Sequence, residues 1–171
     1  MQKGKKTEAA PAFEIKGKRI AIVVAEWNAE VTTKLYDGAK KRLLELGIEE
    51  ADIMRFPVPG SFELTTGARW AAERPDVDAI ICLGVVIQGE TRHFDFICDA
   101  VANGLTQLAM MSKKSVIFGV LTTNTLEQAH ERAGGKVGHK GVEAADTVAK
   151  MLVLQEQIYD IGKKSIGFMR G

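Results

Sequence analysis

The chain has 171 residues, 46% of them hydrophobic, and it carries 23 Lys and Arg against 22 Asp and Glu. That length and apolar content suffice for one hydrophobic core and are short for two domains, and a net charge of +1 gives no electrostatic pull toward nucleic acid or an anionic membrane surface. No apolar run reaches the ~20 residues of a membrane span, and the two cysteines, Cys82 and Cys98, fall at core-like positions with no disulfide or metal-ligand spacing. The expectation is a cytoplasmic protein in a reducing compartment whose partner is a small molecule or another protein chain, with no metal.

Residues 1–18 are lysine-rich and aperiodic and are expected to form a flexible arm. Arg19 to Ala25 is a continuous β-branched run that predicts a first strand, with Glu26, Trp27 and Asn28 at its C-terminal end. Val31, Leu35, Ala39 and Leu43 recur every four residues and predict an amphipathic helix that Gly47 stops. Ile53 to Val58 reads as a second strand, closed by Pro57, Pro59 and Gly60. Ser61 is expected to cap a helix that opens at Phe62, Glu63 and Leu64 and ends near Glu73, before Pro75.

Ile80 to Ile87 is almost unbroken in its apolarity, as in a parallel strand covered on both faces. The polar segment Gln88, Gly89, Glu90, Thr91, Arg92 and His93 follows it. Phe94, Ile97, Cys98, Val101, Leu105 and Leu108 then mark a helix of about five turns with His93 at its start. Ser115 to Leu121 predicts the fourth strand, and Thr125 or Asn124 caps a helix from Leu126 to about Ala133. Four glycines between Gly134 and Gly141 predict a turn, and Val142, Ala145, Val148, Ala149 and Leu152 a last helix to about Gln157. One domain is therefore expected over residues 19–158, with 159–171 as a tail.

Strands alternating with helices predict an α/β fold, a three-layer α/β/α sandwich on a four-stranded parallel sheet. Ligand is then expected at the C-terminal strand ends, where Trp27, Ser61 with Glu63, the 88–93 segment and Thr122 all fall. Gly89, Glu90 and Thr91 precede a helix, so their N–H groups and the Thr91 hydroxyl can receive an anion beside the titratable His93, or they can simply cap the helix. Trp27 is compatible with stacking on a flat heterocycle or with edge packing. Glu63 can answer the helix dipole or, beside Ser61, accept hydrogen bonds from a polyol. Arg132 reads in isolation as a helix-end charge, and His130 and His139 as surface residues.

Four segments in order carry a resemblance: VPGSFEL from Val58 to Leu64, LGVVIQGETRHFDFI from Leu83 to Ile97, FGVLTTNTLEQAHERAG from Phe118 to Gly134, and GHKGVEAA from Gly138 to Ala145. Over about Ile20 to Leu152 the chain resembles the 6,7-dimethyl-8-ribityllumazine synthases of riboflavin biosynthesis. The resemblance implies a flavodoxin-like fold and condensation of 5-amino-6-(D-ribitylamino)uracil with 3,4-dihydroxy-2-butanone 4-phosphate, with release of phosphate and water and no metal or redox cofactor. It implies His93 as general acid/base and Trp27 stacked on the pyrimidine. Ser61, Phe62 and Glu63 would hold the ribityl chain, Val85, Val86 and Ile87 would border the ring, and Phe118 would close the pocket. The phosphate would lie on Gly89, Glu90 and Thr91, with Arg132 from a neighbouring subunit and Lys140 close by.

Departures from the family pattern are Trp27 for a frequent phenylalanine, Glu26 and Gln88 where arginine is common, and His139 where asparagine is common. The family forms pentamers, pairs of pentamers or sixty-subunit icosahedral shells, with the N-terminal segment joined to a neighbour's sheet, a part open here to Phe13–Ile15. The short GGKVGHKG turn resembles the shell-forming members. Two other readings share the architecture: an archaeal-type riboflavin synthase, and a non-catalytic flavin-binding module. The His93 loop separates the synthase from both.

Overall fold

Neighbouring residues on the two central strands face opposite cores, and this alternation organises the molecule. In the computed structural model, which describes residues 15–167 and side chains through Tyr159, four parallel strands form one sheet in the order β2-β1-β3-β4. They are β1 (Ile20–Ala25), β2 (Ile53–Val58), β3 (Ala79–Ile87) and β4 (Ser115–Thr123). Ile20, Ile22 and Val24 of β1, with Ile81, Leu83 and Val85 of β3, pack on one side against α1 (Ala29–Glu45) and α5 (Lys140–Gly167). Ala21, Val23 and Ala25, with Ile80 and Cys82, pack on the other against α2 (Leu64–Glu73) and α3 (His93–Met111). Truncating a fully buried Ile81 or Leu83 to alanine is expected to cost about 2–5 kcal/mol, because the sheet cannot collapse around the void.

Helices cover the sheet centre on both faces, as the apolar β3 run requires, and the side toward α2 and α3 carries the smaller Ala21, Ala25 and Cys82 beside Val23 and Ile80. Cys82 is fully buried there, and desolvation pushes its thiol up to about 12. The strand order places the first two crossovers on opposite sides of β1. The helices after β1 and β2 therefore cover opposite faces, and a crevice opens between the C-terminal ends of β1 and β3.

Local signals agree with the structure where the partners are close in sequence. The Thr125 hydroxyl accepts a hydrogen bond from the Gln128 N–H at 3.2 Å, and the Gln128 side chain accepts from the Asn124 N–H at 2.8 Å, which fixes the start of α4 (Leu126–Arg132). Four expectations change. Ser61 does not cap α2, which begins at Leu64 behind Glu63; the Ser61 side chain turns instead into the core. The glycine-rich turn after α4 forms a small antiparallel pair, β5 (Ala133–Gly135) and β6 (Gly138–His139), because Gly134 and Gly138 take the positive φ angles it requires. The last helix continues past Gln157 to Gly167, and β4 reaches Thr123 by pairing along the whole of β3. Of Phe13–Ile15, expected to join a neighbour's sheet, Phe13 and Glu14 lie outside the described residues, while Ile15 is buried in the core of its own chain with its N–H on the Leu46 carbonyl at 3.4 Å.

Candidate active site

The chain leaves β1 through Asn28, the one non-glycine described residue with positive φ (58°), and this left-handed residue turns Trp27 outward at the crevice. The neighbouring loop is tied to it, since the Glu26 N–H donates to the Val58 carbonyl at 2.8 Å and the Trp27 N–H to the Pro59 carbonyl at 3.1 Å. The Trp27 ring lies over Gly60, where even a Cβ would sit 3.1 Å from Cε3. The indole is thus held at its base and remains 69% exposed, so its face is open to a ligand.

After β2 the segment 61–63 is pinned from both ends. The Ser61 hydroxyl donates to the Val85 carbonyl at 3.0 Å, a buried bond that ties this turn to the end of β3. Gly84 permits it, because a Cβ there would stand 2.7 Å from Ser61 Oγ. One Glu63 oxygen, Oε2, accepts from the Gly60 N–H at 3.0 Å, leaving Oε1 without a hydrogen-bond partner among the described residues. The carboxylate is therefore oriented and still able to accept from a ligand hydroxyl.

Trp27, Asn28, Ser61, Phe62, Glu63, Val85, Val86, Ile87, His93 and Ile97 line one cleft of about 450 Å³. The fold brings together eight predicted residues from four elements and adds two that the sequence reading passed over. Ile97 was assigned only to the helix core. Asn28 could have been found from its type, since asparagine tolerates the left-handed turn a strand end needs.

His93 is the first residue of α3, and its backbone N–H meets the Thr91 hydroxyl at 3.4 Å. Gly89, Glu90 and Thr91 lie on the exposed loop before it, at the N-terminal end of a 19-residue helix. Among the described residues nothing lies within 4 Å of a Cβ built at Gly89, so a ligand can approach this backbone closely. The loop is held to the sheet by the Gln88 N–H donating to the Thr123 carbonyl at 2.9 Å.

The remaining predicted residues sit elsewhere. Phe118 does not close the His93 cleft of its own chain; with Lys140 it lines a second cleft of about 580 Å³ between β4 and α5. Phe118 pairs with Cys82 in the middle of the edge strand β4, away from the crevice between the ends of β1 and β3. Arg132 forks onto Glu143, Nη1 to Oε1 at 2.8 Å and Nη2 to Oε2 at 3.0 Å, and Nη1 also donates to the Val137 carbonyl at 3.2 Å. Lys140 reaches the same carboxylate at 3.5 Å, and the Arg132 guanidinium above all holds Glu143 below the ordinary carboxylate value. Two cations against one carboxylate leave this cluster a net positive charge.

His139 is not a surface residue. Its ring is half-buried, its Nδ1 has no hydrogen-bond partner among the described residues, and burial lowers its pKa against an opposing pull from Glu143. His130 is half-exposed beside Lys34 and Glu30. Among the described residues, no group of His, Cys, Asp and Glu is placed to hold a metal ion, and no helix is long and apolar enough to cross a membrane.

The family model described as 6,7-dimethyl-8-ribityllumazine synthase matches residues 17–156. Curated proteins of that name are similar over most of their length. The one from Cytophaga hutchinsonii is 62% identical over 131 residues, 77% of this chain and 82% of the relative. That from Thermus thermophilus is 48% identical over 149 residues, 87% and 95% of the two chains. That from Bacteroides fragilis is 52% identical over 134 residues, 78% and 94%.

Proposed function

The chain belongs to the 6,7-dimethyl-8-ribityllumazine synthase family, and we infer from this that its cleft condenses 5-amino-6-(D-ribitylamino)uracil with 3,4-dihydroxy-2-butanone 4-phosphate. The protein is a transferase of riboflavin biosynthesis. One observation carries the assignment of the site: an open indole face, an oriented carboxylate and a helix-start histidine share one cleft at the strand-order switch between β1 and β3.

Trp27 stacks on the pyrimidine, with Val85, Val86 and Ile87 against the ring edge. Glu63 accepts from the ribityl hydroxyls through its free oxygen, Phe62 covers the chain, and Ser61 holds that turn to β3. The pyrimidine amine attacks the ketone and water leaves as the imine forms; phosphate departs with loss of a carbon-bound proton, the resulting enol tautomerises to a ketone, and the ribitylamino nitrogen adds to that carbonyl and expels a second water to close the ring. Every one of these steps moves a proton, and His93 on the cleft rim serves as acid and base, a role worth about 10²–10⁴-fold. Holding two substrates in register supplies much of the rest.

Gly89, Glu90 and Thr91 receive the phosphate at the α3 N-terminus, where N–H groups and helix dipole both favour an anion. Arg132 and Lys140 complete that subsite from a neighbouring copy, whose Phe118 closes the cleft. The fork to Glu143 orients Arg132, and the pair of cations retains positive charge for the anion. Assembly is supported by apolar surface that a monomer would not leave bare: Met110 is 83% and Met111 85% exposed, and Met151, Leu154 and Ile158 form an exposed row on α5. The assembly is built of pentamers, and the tight 134–141 turn favours the sixty-subunit shell, located in the cytoplasm.

The test is turnover of both substrates by the purified protein, followed through the lumazine product, with the particle mass measured in parallel. Product formation is expected, and absence of turnover with tight flavin retention would overturn the reading. Sedimentation showing pentamers alone would remove the shell.

A further inference from the structure

We propose that His139 is a positioning residue: its imidazole plugs a notch in α1 at Gly38 and thereby sets the arm that carries Arg132 and Lys140. The proposal rests on the reading of these two residues as the phosphate-binding arm. Glycine weakens a helix interior relative to alanine, and Gly38 stands in the middle of α1 without a positive φ, so backbone conformation does not call for it. The ring does. A Cβ built at Gly38 would overlap Cε1 and Nε2 of His139 and stand 2.8 Å from Nδ1.

A second close approach lies one helical turn away. Gly141 packs on the backbone of Leu35, where a Cβ would overlap the carbonyl oxygen and fall 2.8 Å from its carbon. Leu35 and Gly38 are three residues apart and share one face of α1. Lys140 is therefore held between two pins, His139 at Gly38 and Gly141 at Leu35. Arg132 is tied to the same anchor, because Ala133, the next residue, pairs with His139 across the β5–β6 ladder. Among the described residues the His139 Nδ1 has no hydrogen-bond partner, so at this nitrogen the ring is held by packing.

The experiment is steady-state kinetics on the assembled protein with both substrates, together with inhibition by inorganic phosphate. His139→Ala is expected to raise the KM for the butanone phosphate and the inhibition constant of phosphate about tenfold, since a shift of the order of an ångström in a binding group has effects of this size or larger. The pyrimidine KM and kcat at saturation should stay within about twofold. Gly38→Ala, which keeps every other side chain, should reproduce the effect by expelling the ring. In the His139→Ala background the same substitution should add nothing, because the notch is already empty.

Equal rises in both KM values, a fall in kcat alone, or additive losses in the double variant would overturn the proposal. If His139→Ala does not assemble, Gly38→Ala carries the test by the same KM split. Arg132→Ala distinguishes the two layers: unchanged phosphate KM in that variant defeats the reading of the arm and this inference with it. A raised KM there with wild-type behaviour of His139→Ala and Gly38→Ala defeats the inference alone.

Discussion

The His93 cleft and the Arg132–Lys140 arm differ in how far their side chains are committed within one chain. In the cleft the reactive faces are open: the indole of Trp27, one oxygen of Glu63 and the exposed His93. In the arm the groups are engaged, with Arg132 forked on Glu143, Lys140 on the same carboxylate and His139 packed into α1. On the proposed function, the first region follows a substrate through several bond changes, whereas the second meets an anion of fixed shape. Preorganisation suits the second, and a substrate-facing opening suits the first.

The strongest way to break this division is His93→Ala. It should lower kcat by about 10²–10⁴-fold with little change in pyrimidine binding; wild-type turnover by this variant would exclude the role. Next, Arg132→Ala should lower kcat/KM for the phosphate substrate about 10²-fold, mostly through KM, because a bidentate charged group is lost. Trp27→Ala should raise the pyrimidine KM about tenfold while Trp27→Phe stays near wild type, as expected if a ring face is what matters. Ser61→Ala leaves the buried Val85 carbonyl without its partner and should cost about 1–3 kcal/mol of stability, read as a shift of the unfolding midpoint.

The smallest effect is in pH. Glu143 has its pKa lowered in the folded state, first by the Arg132 hydrogen bond, so between the folded and ordinary values the unfolded chain binds more protons. Its stabilisation is complete above the ordinary value of 4.5 and is lost as pH falls through the folded one. His139, also lowered, acts in the same sense below 6.5. Thermal unfolding of the wild type should therefore weaken on acidification more than that of Glu143→Gln, and identical slopes would show that the carboxylate is not coupled to folding.

The layers of the fold and the location of the cleft were legible because strand apolarity, helix period and strand-end polarity are local patterns. The Thr125 cap was legible for the same reason, its partner being three residues away. Ser61 was misread because a serine before an apolar helix resembles a cap, while its actual acceptor, Val85, is brought to it by the sheet. His139 was misread because the notch that holds it lies about a hundred residues earlier, at Gly38, and no local pattern connects them. Phe118 has the right residue type, but which cleft it lines depends on the edge of the sheet it occupies.

Cys82, at the centre of the sheet, gives the chain its own reporter of opening. Thiol reagents attack the thiolate, and a fully buried group with a pKa pushed to about 12 supplies almost none at neutral pH. Modification of Cys82 must then wait for the layers to part, so its rate measures how often the core is exposed, on a time axis that equilibrium unfolding does not resolve.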